Sequence, residues 1–166
     1  MMKNRIKVGI IKEEDIKPVF MEFDDTDEGV EQLTEFISPT GNVTIVDMTP
    51  FGLDNTVVMF DNDSVINPGE YNMALQIMPM FGTICFAEIG VSGNDQKVVS
   101  MHRGLQEKVI EMVSKQKQME IDSGARKDII AKVSVMGKQN YLREIDQYLM
   151  DNSAEGVYEE ARREQE

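Results

Sequence analysis

Carboxylates are the most concentrated chemically capable groups in this chain. Ten lie between Glu13 and Glu35 (Glu13, Glu14, Asp15, Glu22, Asp24, Asp25, Asp27, Glu28, Glu31 and Glu35), with Lys17 as the one base among them. Clustered acids can chelate a divalent ion, share general acid and base work, or attract a basic macromolecule. Asp24, Asp25, Asp27 and Glu28 offer oxygen ligands, but the positions of a calcium loop are not filled, and the same residues serve to cap a helix. Asp61 and Asp63, beside Asn62 and Ser64, form a second acidic spacing. Two carboxylates without companions establish neither catalysis nor chelation, so this pair reads as a loop.

The other reactive side chains are isolated. His102 is the only histidine and Cys85 the only cysteine. His102 lies beside the apolar Met101 and before Arg103 and Gly104, a setting for a helix surface or an interface; one imidazole is not a catalytic constellation. Cys85, between Ile84 and Phe86, has no activating base in its surroundings and reads as buried. Neither a phosphate loop nor a paired-cysteine zinc site is present, so no cofactor or metal is expected. Lys115, Lys117, Arg126, Lys127 and Lys132 form a modest basic patch, but Glu107, Glu111, Glu120, Asp122 and Asp128 interrupt its field. A solvated helix surface is expected there. The 13 methionines suit an adaptable core or binding face, notably Met73, Met78 and Met80 around Pro79.

These groups must be positioned by two differently built portions. Ile6, Val8 and Ile10 alternate along one strand, and Val19, Met21 and Phe23 along a second. Asp25 is expected to cap the following helix, with Glu28 at the reciprocal capping-box position and Val30, Leu33, Phe36 and Ile37 on its buried side. Ser38 to Asn42 should stop it. Val43 to Val46 and Thr56 to Phe60 read as further strands, Asn62 to Tyr71 as an irregular connection, and Met80 to Val91 as one or two strands bent near Gly82 or Gly90.

The period then changes. Val98, Met101, Leu105, Val109 and Met112 recur at three or four residues and predict a helix over Gln96 to Gln118. Ser123-Gly124 should end it, followed by a short helix with Ile129, Ile130 and Val133, a break at Gly137, and a helix with Leu142, Ile145 and Leu149. Asn152-Ser153 reads as a boundary before a weakly anchored terminal helix carrying Ala154, Val157, Tyr158 and Ala161. The chain is therefore expected to be α+β: residues 1–94 an acidic domain with a small mixed sheet and one packed helix, and residues 95–166 a helical extension or subdomain.

Composition narrows the function classes. The 166 residues are 41% hydrophobic and 28% charged, enough for a core without disulfides. The net charge is -13, and its distribution is uneven. Residues 1–100 carry six bases and 17 acids, a net -11, while residues 101–166 carry 11 bases and 13 acids, a net -2. This field disfavours direct contact with nucleic acid or anionic membranes. With no secretory signal pattern and no membrane-length apolar run, a soluble cytoplasmic protein is expected.

The runs KVGIIKEEDIKPVFMEFDDTDEGVEQLTEFI, VTIVDM, VVMFDN, EYNMAL and GTICFAEI, between Lys7 and Glu88, resemble a small uncharacterised domain type found in bacteriophages and mobile elements. The resemblance covers about half the chain and implies a small α+β domain in a mobile-element context, with no assigned activity or site residue. The leading expectation is a protein-interaction module, a regulator or counter-defence antagonist that binds a basic host protein through Glu22, Asp24, Asp25, Asp27, Glu28, Glu31 and Glu35. One alternative is a small hydrolytic enzyme using clustered carboxylates. Another is an assembly subunit that forms homo-oligomers through the later helices.

Overall fold

A computed structural model describes residues 4–92 and 95–151. The expected boundary at Asn152-Ser153 and the terminal helix lie outside these residues. The alternating runs form β1 (Arg5–Ile11) and β2 (Val19–Asp24), followed by α1 (Asp27–Ile37), β3 (Val43–Asp47) and β4 (Thr56–Asp61). Then come β5 (Tyr71–Leu75), β6 (Met78–Phe81), β7 (Ile84–Ser92) and β8 (Asp95–Val99). Three helices end the described chain: α2 (Arg103–Asp122), α3 (Ala125–Met136) and α4 (Lys138–Asp151).

The main sheet runs β2-β1-β7-β4-β3, with β8 also paired to β7, while β5 and β6 make a separate two-stranded ribbon. The fold is α+β, sheet first and helices after. The sheet, expected only as mixed, is antiparallel at every described pairing.

Strand alternation gives the sheet two apolar faces, and each is covered. On one face Ile6, Val8, Ile10, Cys85 and Ala87 pack against Leu33 and Ile37 of α1. On the other, Ile11, Val58, Ile84 and Phe86 meet Met73 and Met80 of the ribbon and Leu105, Val109 and Val113 of α2. A third cluster, Tyr71, Phe81 and Tyr141, joins the ribbon's outer side to α3 and α4. Burying a leucine, valine or phenylalanine contributes about 1.5–3 kcal/mol each, so the two sheet faces carry most of the stabilisation. At Gly82, with φ +80°, the chain bends between β6 and β7 in a conformation that side chains resist.

Four expectations are corrected. Asp25 does not cap α1. Thr26 does, its hydroxyl accepting the Gly29 N–H at 3.0 Å, because the Asp25 backbone still extends β2 by bonding to the Asn4 carbonyl. The capping-box return is then impossible, since the third helical residue is Gly29.

Val30 and Phe36 are not on the buried side: they are 48% and 37% exposed. Helical geometry centres the buried arc on Gly29, Leu33 and Ile37, and sets Val30 and Phe36 roughly 60° to either side of it. Phe36 instead meets the Phe23 ring edge-on at 6.3 Å.

The predicted helix over Gln96 to Gln118 starts too early. Val98 sits in β8 opposite Ile89, and the helix begins at Arg103. Asp95 to Val99 instead pair along Ser92 to Glu88 of β7 before Met101, whose N–H bonds the Lys7 carbonyl, leads into α2. Finally, Tyr71 opens a strand rather than closing a loop.

Candidate functional site

The seven acids singled out in the sequence fall into three groups. Asp27, Glu28, Glu31 and Glu35 are all exposed on α1. At 100° per residue they occupy one arc of roughly 100°, opposite the arc that Gly29, Leu33 and Ile37 bury. The same amphipathic spacing that seats the helix therefore aligns its acids. Among the described residues no cation pairs with any of these four.

Glu22 and Asp24 project from the sheet face opposite the one α1 covers, in register with Lys7 and Arg5 of β1. Arg5 lies 3.5 Å from Glu22 and 3.6 Å from Asp24. Asp25, at the junction, is 3.1 Å from the Lys97 ammonium of β8. The structure brings four of the seven together as one stripe and separates the other three, each of which faces a base.

The expected basic helix surface holds for Lys115, Lys127 and Lys132, which are exposed, and is corrected for Lys117 and Arg126. Lys117 is only 4% exposed, and its ammonium donates to the carbonyls of Lys12 and Glu13 at 2.9 and 3.2 Å. The Arg126 guanidinium donates to the carbonyls of Asn72, Glu13 and Tyr71 at 2.7, 3.0 and 3.3 Å. Lys138 donates to the carbonyls of Ser64 and Asn67 at 2.9 and 3.0 Å. These cations fasten α2, α3 and α4 to the loops and strand ends of the β portion, where the backbone oxygens have no sheet partner. Lys117 had a legible signal, because it continues the four-residue spacing of Leu105, Val109 and Val113. Burial lowers its ammonium to about 8. Burial also lowers Lys138, against the raising effect of Asp61.

Glu120 is the carboxylate buried beside them. It accepts from the Tyr71 hydroxyl, from the Ala74 N–H at 3.4 Å and from the Gln116 amide at 3.3 Å. Burial, and then the bond to Glu120, push the Tyr71 hydroxyl above its ordinary range. A hollow of about 330 Å³ opens here over Tyr71, Phe81, Ile130 and Val133. Arg126 and Lys138 each lie 5.6 Å from an aromatic ring, Tyr71 and Phe81 respectively. Their donors point to backbone carbonyls, so the arrangement holds the helices in place.

Asp61 and Asp63 form a polar knot. Asp61 accepts from Ser38 at 2.8 Å and from Asn67 at 2.9 Å, and Asp63 from Thr40 at 2.6 Å. Both carboxylates are spent on loop order. The His102 ring sets Nδ1 2.6 Å from a Glu88 oxygen, which also accepts the His102 N–H at 3.1 Å. A carboxylate at the start of α2 complements that helix's dipole. Glu88 is the one side chain hydrogen-bonded to His102 among the described residues. The Cys85 thiol is fully buried, and burial alone pushes it far above the range in which it attacks. Among the described residues no group of three His, Cys, Asp or Glu side chains is placed to hold a metal ion, and no helix is long and apolar enough to cross a membrane.

Two features escaped the sequence reading. Glu31 and Glu35, with Thr34, line a hollow of about 450 Å³ against Pro39, Thr40 and Gly41, the turn that leads into β3. At the other end of β3, Asp47 accepts from the Thr49 N–H at 3.0 Å and its hydroxyl at 2.8 Å, and these two bonds, in that order, hold its carboxyl below the usual range. No family model, curated protein or solved structure matches this chain.

Proposed function

We propose that this chain is a protein-interaction module that binds a basic partner through the exposed stripe of α1, led by Asp27, Glu28, Glu31 and Glu35. One observation carries the reading: these four acids have no cation partner among the described residues, while Lys117, Arg126 and Lys138 are turned inward onto carbonyls. The fold turns these three cations inward and gathers four acids on one helix. Such a field steers a positive partner and sets its orientation, while nearby apolar contacts supply affinity that salt screens less. Glu22, Asp24 and Asp25 extend the field, partly offset by Arg5 and Lys97. A regulator or counter-defence antagonist working in the cytoplasm, in the mobile-element setting that the resemblance implies, fits this chemistry.

The test begins with partner capture and reconstitution from purified components. A variant carrying Asp27→Asn, Glu28→Gln, Glu31→Gln and Glu35→Gln should keep the parent's melting curve, lose about tenfold or more in affinity at low salt, and show a flatter salt dependence. Unchanged affinity and salt slope in a folded variant would reject the role.

A second reading, assembly through the later helices, is favoured by apolar residues left open on them. Val135 is 88% exposed, Met119 54% and Ile130 45%.

A further inference from the structure

We infer that the outer edge of β3 is a strand-addition site, taking an extended segment of a basic partner whose residues alternate between apolar and Lys or Arg. The inference rests on the proposed basic-partner reading and adds the place and manner of contact. β3 is an outer strand of the sheet's main path, and among the described residues no strand pairs with its far side.

The direction of its backbone groups follows from the ladder. Asn62 N–H bonds the Asn42 carbonyl and Met48 N–H bonds the Thr56 carbonyl, so the even-numbered residues of this stretch face β4. In an antiparallel pair both polar groups of a residue point the same way. Val43, Ile45 and Asp47 therefore direct their N–H and C=O groups outward, three donors and three acceptors in a row. Ile45, at the centre, is 62% exposed.

The opposite outer strand shows what a guarded edge looks like. β2 follows Pro18 and carries Glu22 and Asp24 within its span. Prolines and charges are the usual means of discouraging added strands. β3 reads Val-Thr-Ile-Val-Asp, with no proline and with its one charge at the end. Its edge is open.

Charge selects the occupant. Glu31 and Glu35 border the turn entering β3, and Asp47 closes its far end beside a hollow of about 210 Å³ that reaches Val57, Ile89 and Val91. Neither hollow has a Lys or Arg among its described lining residues. A second copy would bring another -13 to this edge, whereas a basic segment meets carboxylates at both ends and an aliphatic side chain in the middle. Main-chain bonds give such a complex its affinity, and alternate side chains its selectivity.

The full chain is immobilised and used to select binders from a displayed library of random twelve-residue peptides. Selected peptides are synthesised and titrated against the parent, Ile45→Pro, Ile45→Lys and the doubly neutralised Glu31→Gln, Glu35→Gln chain. Ile45→Pro removes an outward donor without touching the β4 ladder, and Ile45→Lys serves if the proline disturbs folding. The expected peptides are proline-free and rich in Lys, Arg, Val and Ile. Their affinity should fall about tenfold or more in both Ile45 variants, through a lost main-chain bond in Ile45→Pro and through lost apolar contact and repulsion of the peptide's cations in Ile45→Lys, and several-fold in the neutralised chain.

Absence of binders, or binders indifferent to both Ile45 variants, overturns strand addition. Indifference to Ile45 with sensitivity to Glu31 and Glu35 removes this inference and leaves the acidic-face reading standing. Indifference to all the substitutions removes both. A sedimentation mass that doubles with concentration and reverts in Ile45→Lys assigns the edge to a second copy and also overturns the inference.

Discussion

Lys117 is a cation held where cations are rarely found, only 4% exposed. Burial, then the nearby Arg126 guanidinium, lower it to about 8 against an ordinary 10.5. Between those values the folded chain has released a proton that the unfolded chain still holds, so raising the pH stabilises the fold. Tyr71 acts with the opposite sign: its raised hydroxyl keeps a proton that the unfolded chain gives up above about 10, and the gain reverses there. Cys85 opposes Lys117 from a lower pH, since its buried thiol keeps a proton that the unfolded chain gives up above about 9, and the lowered Lys138 adds to the rise. Urea midpoints should therefore climb from about pH 8 to 9 in the parent, and climb less over that span in Lys117→Met. At pH 7, Lys117→Ala should cost about 1–3 kcal/mol, because two charge-assisted hydrogen bonds are lost, although the Asp15 N–H and Arg126 still donate to those two carbonyls. The spacing of α2 exposes this position to a reader who counts in fours. The inward turns of Arg126 and Lys138 carry no such mark, since their partners are carbonyls of loops and of β5 over 50 residues away in the chain.

α1 shows how much of an element can be read in advance. Its extent, its stop and the alignment of its acids follow from local pattern, since apolar spacing and loop-forming residues act within a few positions. Its cap did not, because the choice between Asp25 and Thr26 is made by β2, which holds the Asp25 backbone extended against Asn4. Thr26→Ala should cost about 1 kcal/mol by thermal or urea unfolding, whereas Asp25→Ala, which loses only a part-exposed ion pair, should cost about 0.5 kcal/mol or less. Gly29→Ala tests the seating of the helix more severely. A methyl there would overlap the Asp24 carbonyl oxygen, which is backbone and cannot step aside cheaply, so a loss of about 2 kcal/mol or more is expected. β8 was misread for a related reason. Val98 fits the helical stripe of the later residues, and only its partner Ile89 across the β7–β8 pairing places it in a strand.

Across the whole molecule, charge and apolar exposure are divided between the two halves. The sheet half holds most of the net charge, while the helices carry little and leave Met119, Ile130 and Val135 open. Association through the helices would keep the acidic halves apart, which limits repulsion between copies. Under the assembly reading, sedimentation equilibrium should show a mass rising with concentration, and Val135→Glu should return it to that of a single chain; a constant single-chain mass would discard that reading. Legibility follows the same division. The α+β order came from the change of period, but strand order in the main sheet arises from contacts far apart in sequence, which no local pattern encodes; the ribbon, by contrast, is a local pairing in which Leu75 faces Met78.

The third aromatic cluster has a consequence for how the molecule opens. α3 and α4 rest on Tyr71 and Phe81 of a two-stranded ribbon, not on the six-stranded sheet. A platform of two strands offers much less cooperative support than a sheet buried on both faces. Amide protons of α3 and α4 should thus exchange with solvent through partial openings that leave the sheet closed. Thermal fluctuation would first release the helical end as one foldon while the acidic half keeps its shape.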